Sequence, residues 1–245
     1  MIYFVVAHIP ALRGVFILEA HGVTISYGKN IILKCLDFSA QTGTGSAFLG
    51  RNGTGKSTFM KVLSGVKRPD SGSILIDGVS LQKARRSIGF VPQNDILLDD
   101  LSTMDNLFFW AASYGVPKSD IINNPLIERL ELEGVYKTKA GKLSGGMRKR
   151  LCIAASVLHN PGILILDEPF TGIDVVARQE MLDYFLSLKK DGLTLIVTSH
   201  DASELTVLCE RFFFIASGGI EEIENTKEFR ADPKQSIANI VKRGN

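Results

Sequence analysis

The stretch Gly50-Arg51-Asn52-Gly53-Thr54-Gly55-Lys56-Ser57 decides the fold of this chain. Its two outer glycines are separated by four residues and are followed by Lys and Ser, which is the pattern of a phosphate-binding loop. Glycines let the backbone fold tightly, so that successive N–H groups point at phosphate oxygens, and a helix beginning near Lys56 adds the positive end of its dipole. In such a loop Lys56 is expected to bridge the β- and γ-phosphates, and the Ser57 hydroxyl is expected to bind magnesium.

The sequence around this loop predicts a strand before it and a helix after it. Residues 46–49 are a short apolar strand, and residues 56–63 have a helical pattern. Upstream, residues 17–27 and 31–39 are typical of two antiparallel strands joined by a tight turn. The chain therefore begins with an antiparallel β unit that leads into the phosphate loop.

The second half of the chain predicts a helical insert followed by a parallel βαβ unit. Helical patterns dominate residues 94–160, where the β-branched runs disappear. Residues 162–166 and 193–198 are apolar runs of the kind that is buried on both faces of a parallel sheet, and a helical pattern at residues 177–190 separates them. A last strand is predicted at residues 211–216, followed by a charged tail.

Two adjacent carboxylates follow the buried strand at residues 162–166. Asp167 ends the apolar run Gly162-Ile163-Leu164-Ile165-Leu166, and Glu168 comes next. Asp167 is placed to reach magnesium, usually through water, and Glu168 is placed to polarise the water that attacks a γ-phosphate. The alternative is that one of the pair only caps the loop before Pro169.

With these motifs in place, the stretch Leu143-Ser144-Gly145-Gly146-Met147 resembles the signature motif of the ATP-binding cassette (ABC) family. The resemblance implies that Ser144, Gly145 and Gly146 bind the γ-phosphate of an ATP held by a second cassette. A serine and two glycines at the start of a helix also form an anion site on physical grounds. The resemblance therefore implies a dimer, of two copies or of two different cassettes, with two ATP molecules between its subunits.

Four more residues resemble family motifs in the family's order. The resemblance implies that Tyr27 stacks on adenine, that Gln93 contacts magnesium and the attacking water, and that Asp174 lies in a loop crossing the dimer interface. It also implies that His200 is the switch histidine at the γ-phosphate. Of the four histidines, only His200 follows a predicted parallel strand, at the sheet edge where α/β proteins bind ligands. The loop residues expected to contact ATP are Asn52, Gly53, Thr54, Gly55, Lys56, Ser57 and Thr58.

The signature departs from the family pattern at its last position, where Met147 replaces the usual Gln. The pair Met147-Arg148 and the stretch Leu107-Phe108-Phe109-Trp110 are similar to cassettes of bacterial exporters for drugs, lipids and polysaccharides. The three aromatic residues of that stretch belong either to a surface that contacts a permease or to the core of the insert, and the sequence leaves both possibilities open.

Composition limits the classes of partner. The chain has 245 residues, 45% hydrophobic and 22% charged, and a formal net charge of +2, which does not favour nucleic-acid binding. No apolar run reaches the roughly 18 to 20 residues of a membrane-spanning helix, so any role at a membrane is expected to be carried out from outside the lipid. Cys35, Cys152 and Cys209 have no metal-binding spacing and are expected to be buried free thiols.

Together these features predict an α/β fold, a P-loop NTPase with a mostly parallel core sheet, an N-terminal antiparallel β subdomain and a helical insert at about residues 94–160. Residues 1–16 are interpreted as an N-terminal extension, 17–222 as the cassette and 223–245 as a tail. The resemblance implies an ATPase that uses ATP and Mg2+, pairs with a second cassette, and drives a separate transmembrane permease from the cytoplasmic face of the membrane, with export as the expected direction. The alternative is a soluble cassette ATPase in cluster assembly or regulation.

Overall fold

A computed structural model describes residues 18–122, 124–199 and 201–224, and within the tail residues 229, 231, 232, 234–236 and 239. The predicted extension at residues 1–16, most of the tail, and His200 therefore lie outside the described residues. Within these residues the chain forms two sheets and seven α-helices. The strands are β1 (Leu18–Tyr27), β2 (Asn30–Ala40), β3 (Gly45–Leu49), β4 (Ser71–Ile76), β5 (Val79–Ser80), β6 (Ile88–Val91), β7 (Ile163–Asp167), β8 (Thr194–Thr198), β9 (Arg211–Ala216) and β10 (Gly219–Ile223). The helices are α1 (Lys56–Leu63), α2 (Thr103–Ser113), α3 (Ser119–Ile122), α4 (Pro125–Arg129), α5 (Gly145–Val157), α6 (Val175–Lys190) and α7 (Ala202–Leu208).

The larger sheet has six strands in the order β10-β9-β3-β8-β7-β6, and its strands are parallel except for β10. Its central strands separate two hydrophobic cores, because alternate residues of a strand point to opposite faces. In β7, Ile163 and Ile165 lie in one core, and Leu164 and Leu166 lie in the other. A strand buried on both faces must be apolar throughout, which is why the sequence predicted these strands correctly.

The smaller sheet has four antiparallel strands in the order β2-β1-β4-β5. The predicted hairpin of β1 and β2 is confirmed. β4 pairs with β1 from the other side, so that Ile76 lies opposite Leu18. The N-terminal β unit therefore gains strands from beyond the phosphate loop, and it packs its buried face onto the same core as β3 and α1.

The strand predicted at residues 211–216 is confirmed as β9, but the prediction that it is the last strand is wrong. The chain turns at Ser217 and Gly218, whose φ angles are 50° and 76°, and returns as β10, antiparallel to β9. Positive φ at both central residues is the requirement of a type I′ hairpin turn. The boundary predicted at residue 222 falls inside β10. Beyond it, the Phe229 ring packs on Phe212 with a centroid distance of 4.6 Å, so this residue lies against the core.

The insert between β6 and β7 is helical, as predicted, and contains α2 to α5. α2 begins at the cap Ser102, whose hydroxyl accepts from the N–H of Asp105. Within the aromatic stretch on α2, Phe108 is partly buried against the core, whereas Phe109 is 49% exposed. In the described parts of the chain, no helix is long and apolar enough to cross a membrane.

Two of the three cysteines are buried, as expected. Cys152 on α5 and Cys209 after α7 lie in the core, and both are free thiols. Cys35 is exposed, which contradicts the prediction. It lies in β2 where the pairing with β1 shifts register, and its φ is 51°. The irregularity leaves both Lys34 and Cys35 facing away from the core, between the buried Leu33 and Leu36.

Candidate nucleotide site

A cleft of about 320 Å³ opens beside the phosphate loop. The loop follows β3, and the other parallel strands end at the same edge of the sheet, where open α/β sheets bind ligands. Nine of the predicted site residues line this cleft: Tyr27, Asn52, Gly53, Gly55, Lys56, Ser57, Thr58, Gln93 and Glu168. Thr54 lies within the loop, where its hydroxyl donates to the carbonyl of Arg51 at 2.9 Å. The sequence therefore identified most of one continuous site from segments far apart in the chain.

Two glycines of the loop have no space for a side chain. A Cβ at Gly50 would lie 2.5 Å from the carbonyl oxygen of Ile215 on β9. A Cβ at Gly55, whose φ is 103°, would lie 2.8 Å from Ile32 on β2. Because Ile32 also lines the cleft, the loop is held between the two sheets, and its backbone conformation requires glycine at these positions.

Lys56 is held inside the loop that it follows. Its ammonium group donates to the carbonyl oxygens of Gly50 at 2.7 Å and of Arg51 at 3.1 Å. Burial lowers the pKa of Lys56, and the charges of Glu168 and Asp167 oppose that shift. A buried ammonium group, held by carbonyls and near two carboxylates, is placed to meet the phosphates of a nucleotide.

Ser57, Asp167 and Thr198 form a hydrogen-bonded chain below the cleft. The Ser57 hydroxyl donates to Oδ1 of Asp167 at 3.1 Å, and the Thr198 hydroxyl donates to the same oxygen at 2.8 Å. Asp167 and Thr198 are both buried. The hydroxyl of Ser57 and the carboxylate of Asp167 are hard oxygen ligands, and this donor set fits Mg2+.

Glu168 lies at the cleft in a strained backbone conformation. Its φ is 52°, in the left-handed region, and its side chain is buried. Its N–H donates to both the hydroxyl (3.0 Å) and the carbonyl oxygen (3.1 Å) of Thr198. A non-glycine residue in this region costs about 1–3 kcal/mol and persists where the surroundings hold it, often at functional sites.

Thr198 is the site residue that the sequence analysis missed. It ends β8 directly beside Asp167 in the parallel pairing of β7 and β8. Its hydroxyl contacts both acidic residues, one through the Asp167 side chain and one through the Glu168 backbone. The available signal was a polar residue at the end of an apolar strand, but its contacts depend on a register that the sequence does not show.

Tyr27 and Gln93 both line the cleft. Tyr27 ends β1 and is 51% exposed, with the ammonium group of Lys67 4.5 Å from its ring centroid. Gln93 is exposed and follows β6. An exposed aromatic ring at a phosphate site can stack on a base, and an exposed amide can reach a ligand in the cleft.

The remaining described site residues lie away from this cleft. Ser144 caps α5, and its hydroxyl accepts from the N–H of Met147 at 3.3 Å. Asp174 caps α6 by accepting from two backbone N–H groups, and the N–H of Ala177 has the largest part in lowering its pKa. A Cβ at Gly145 would lie 3.1 Å from the carbonyl oxygen of Gly172, so the start of α5 is in close contact with the segment before α6. None of Ser144, Gly145, Gly146 and Asp174 is among the described residues that line the cleft.

The structure describes the residues on either side of His200. Ser199 is buried and its hydroxyl accepts from the N–H of Asp201 at 3.0 Å. The same hydroxyl donates a hydrogen bond to Glu204, a buried carboxylate on α7. Glu204 also forms an ion pair with Arg178 at 3.4 Å. The role of His200 itself stays a prediction.

Comparison with known proteins agrees with this geometry. Residues 33–171, more than half of the chain, match the family model for the ABC transporter. The chain belongs to the ABC transporter family. The resemblance predicted from the signature motif is therefore confirmed, and this ABC cassette is an ATP-binding and ATP-hydrolysing domain.

Relatives of this cassette are named for resistance and export. It is 37% identical over 207 residues to the linearmycin resistance ATP-binding protein LnrL of Bacillus subtilis, covering 82% of this chain and 67% of that protein. It is 38% identical over 198 residues to the Nod factor export ATP-binding protein I of Burkholderia thailandensis, covering 78% of this chain and 65% of that protein. The cassette thus spans about two thirds of the length of these relatives.

Solved structures confirm the predicted fold class. A dimeric structure of a bacterial ABC transporter cassette has a TM-score of 0.76 and 26% identity, and covers 85% of this chain and 100% of that chain. A dimeric post-hydrolysis state of an ATP-binding cassette, bound to ADP and Pi, has a TM-score of 0.75 and 25% identity over the same shares of the chains. The predicted α/β fold of a P-loop NTPase is correct.

Proposed function

We propose that this cassette is the ATPase subunit of an exporter, that it pairs with a second cassette around two ATP molecules, and that it drives a separate transmembrane permease from the cytoplasmic face of the membrane. One observation carries the proposal. Lys56, Ser57, Gln93 and Glu168, which come from three separate segments, line a single cleft beside a phosphate loop.

Within the cleft each residue has a chemical task. The loop N–H groups and Lys56 bind the phosphates of ATP, and Tyr27 stacks on its base. Glu168 polarises the water that attacks the γ-phosphate, since a carboxylate can accept the proton that this water loses. Gln93, which also lines the cleft, orients that water, and His200 contacts the γ-phosphate from the segment after β8.

Ser57 and Asp167 would hold Mg2+, Ser57 directly and Asp167 through water, with Gln93 as a further contact. The ion, when bound, neutralises charge on the β- and γ-phosphate oxygens. The chain's own part is to keep the two ligands in place. Asp167 accepts from both Ser57 and Thr198, so its carboxylate has a defined orientation before nucleotide arrives.

Ser144, Gly145 and Gly146 supply an anion site that lies outside this cassette's own cleft. We assign it to the γ-phosphate of ATP bound by the second cassette, and we place Asp174 at the interface between the two. ATP then closes the dimer because it binds the closed form more tightly, and hydrolysis lets the dimer open. A homodimer satisfies this scheme, since one chain carries both the ATP-binding cleft and the anion site.

The export direction rests on the relatives. One is named for linearmycin resistance and another for Nod factor export, and the alternative of a non-transporting cassette finds no support among these names. Phe109, which is exposed on α2 of the insert, is our candidate for the surface that contacts the permease. The insert would thereby pass opening and closing of the dimer to the membrane subunit.

The test measures Mg2+-dependent ATP hydrolysis against protein concentration for the wild type, Glu168→Gln, and the control Glu221→Gln, which changes an exposed acid on β10. We expect the wild-type and control rates to rise faster than linearly with concentration. We expect Glu168→Gln to be inactive yet to dimerise with ATP. A rate that is linear in protein and survives Glu168→Gln would contradict both the shared site and the assigned base.

A further inference from the structure

Arg148 lies one turn after the cap of α5 and holds together three segments of the insert. Its backbone N–H donates to the carbonyl oxygen of Ser144 at 2.9 Å. Its guanidinium donates to both carboxylate oxygens of Asp95, from Nε at 2.8 Å and from Nη2 at 2.9 Å. Nη1 donates to Asp99 at 2.7 Å and to the carbonyl oxygen of Ala140 at 2.9 Å. One side chain therefore joins α5 to the segment after the cleft and to the segment before the signature motif.

The segment that Arg148 holds leads directly from the cleft. Asp95 lies two residues after Gln93, in the connection from β6 to α2. The far end of this connection is fixed by Asn106, a fully buried side chain of α2. The Asn106 amide oxygen accepts from the N–H of Leu98 at 2.8 Å, and its amide nitrogen donates to the Leu98 carbonyl oxygen at 3.0 Å. The connection is therefore held at Asp95 by Arg148 of α5 and at Leu98 by Asn106 of α2. It has little freedom to move separately from α5.

The contact between Arg148 and Asp95 differs from an ordinary surface ion pair. The two side chains are only 23% and 25% exposed, and the geometry is bidentate. Partial burial acts to raise the pKa of Asp95, but the hydrogen bonds from Arg148 and from the N–H of Leu97 outweigh it and lower the pKa. Lys139 and Asp100 form a nearby pair at 3.6 Å, but both side chains are well exposed. Exposed ion pairs of this kind contribute little to stability.

We propose that Arg148 is a positioning residue that couples the Gln93 segment to the anion site at Ser144. The coupling rests on the proposed function, because it sets how Ser144 is presented to the ATP of a second cassette. A displacement of the segment after Gln93 reaches the start of α5 through the bidentate contact. Without the contact, the connection from β6 and the first turn of α5 move independently, while the cassette's own cleft stays intact.

The experiment uses the Glu168→Gln protein, in which ATP is bound but not hydrolysed. The ATP concentration that gives half-maximal dimerisation is measured by sedimentation velocity, and the affinity of the cassette's own cleft is measured with fluorescent ADP. Arg148→Lys keeps the charge but loses the bidentate geometry, and Asp95→Asn removes the charge from the other partner. We expect each to raise the ATP requirement for dimerisation by roughly tenfold and to leave ADP affinity within about twofold.

Two further variants make the result specific. Asp100→Asn, the matched control from the exposed pair, is expected to change neither quantity. The double variant Arg148→Lys/Asp95→Asn is expected to need no more ATP for dimerisation than Arg148→Lys alone, because Asp95→Asn removes only a contact that Arg148→Lys has already lost. If Arg148→Lys does not fold, Asp95→Asn alone carries the test.

An unchanged ATP requirement in Asp95→Asn or Arg148→Lys would overturn the coupling. A loss of ADP affinity in parallel with dimerisation would overturn it as well, since it would show a general structural role. If the Glu168→Gln protein fails to dimerise with ATP before any Arg148 variant is compared, the proposed function is overturned, and the coupling falls with it.

Discussion

Thr198 holds both acidic residues of the cleft, and replacing it by Val tests that arrangement. Val has nearly the same shape as Thr but lacks the hydroxyl group. The substitution removes the 2.8 Å hydrogen bond to the Asp167 carboxylate and the 3.0 Å bond from the Glu168 N–H. Asp167 is left with the hydrogen bond from Ser57, and the Glu168 N–H is left with the Thr198 carbonyl oxygen at 3.1 Å.

The remaining bonds set the expected magnitude. A hydrogen bond to a charged group contributes about 1.5–3 kcal/mol, and since neither partner loses its last bond, we expect a cost of about 1.5 kcal/mol in the free energy of unfolding. For a chain of this size that corresponds to a fall in Tm of roughly 3–6 °C. If the same positioning is needed in the transition state, kcat falls by about tenfold or more.

Thermal unfolding and Mg2+-dependent ATP hydrolysis are measured for the wild type, Thr198→Val and Thr198→Ser. Ser keeps the hydroxyl and loses only a buried methyl group, which costs about 1 kcal/mol of stability, so its kcat should stay near the wild-type value. A Thr198→Val protein with wild-type kcat would refute the assigned role of the hydroxyl. A Thr198→Ser protein as slow as Thr198→Val would show that packing of the methyl group matters instead.

Three other substitutions test separate parts of the structure. Tyr27→Ala should raise the Kd for ATP by roughly tenfold, since stacking on a base contributes about 1–3 kcal/mol, whereas Tyr27→Phe should leave it nearly unchanged; equal losses in titrations of the two would exclude stacking. Burial lowers the pKa of His159, whose ring stacks on Tyr114 at 3.7 Å. Below about pH 6.5 the unfolded chain therefore binds a proton that the folded chain does not, and stability falls as the pH falls. Urea titrations at pH 7.5 and 5.5 should show a smaller fall for His159→Phe than for the wild type, and equal falls would argue against this residue. Gly50→Ala places a Cβ 2.5 Å from the carbonyl oxygen of Ile215 and should abolish ATP binding, as measured by calorimetry; retained binding would show that the loop can shift without loss of function.

The parts of the structure that the sequence predicted are those that local pattern determines. The apolar runs of β7 and β8 are buried on both faces, and the phosphate loop has a spacing that few other structures use. The features that were missed depend on how strands pair, which the pattern of a single segment does not show. β10 exists because the turn at Ser217 allows a return along β9, and Thr198 reaches Asp167 only because β7 and β8 pair in one particular register.

The positions of the cleft and of the anion site at Ser144 also indicate which residues should control the ATPase. The cleft already holds Lys56 and Glu168, while the anion site at Ser144 lies outside it. On the proposed function, a single cassette contains its catalytic carboxylate but not every group that its own nucleotide needs. Residues that orient Ser144, with Arg148 foremost, should then change the dependence of the rate on a second cassette without changing the affinity of the first for ADP. Substitutions in the cleft should instead change the affinity for ADP without changing the dependence of the rate on a second cassette. Measuring the ADP affinity and the concentration dependence of the rate in the same variants separates the two groups of residues.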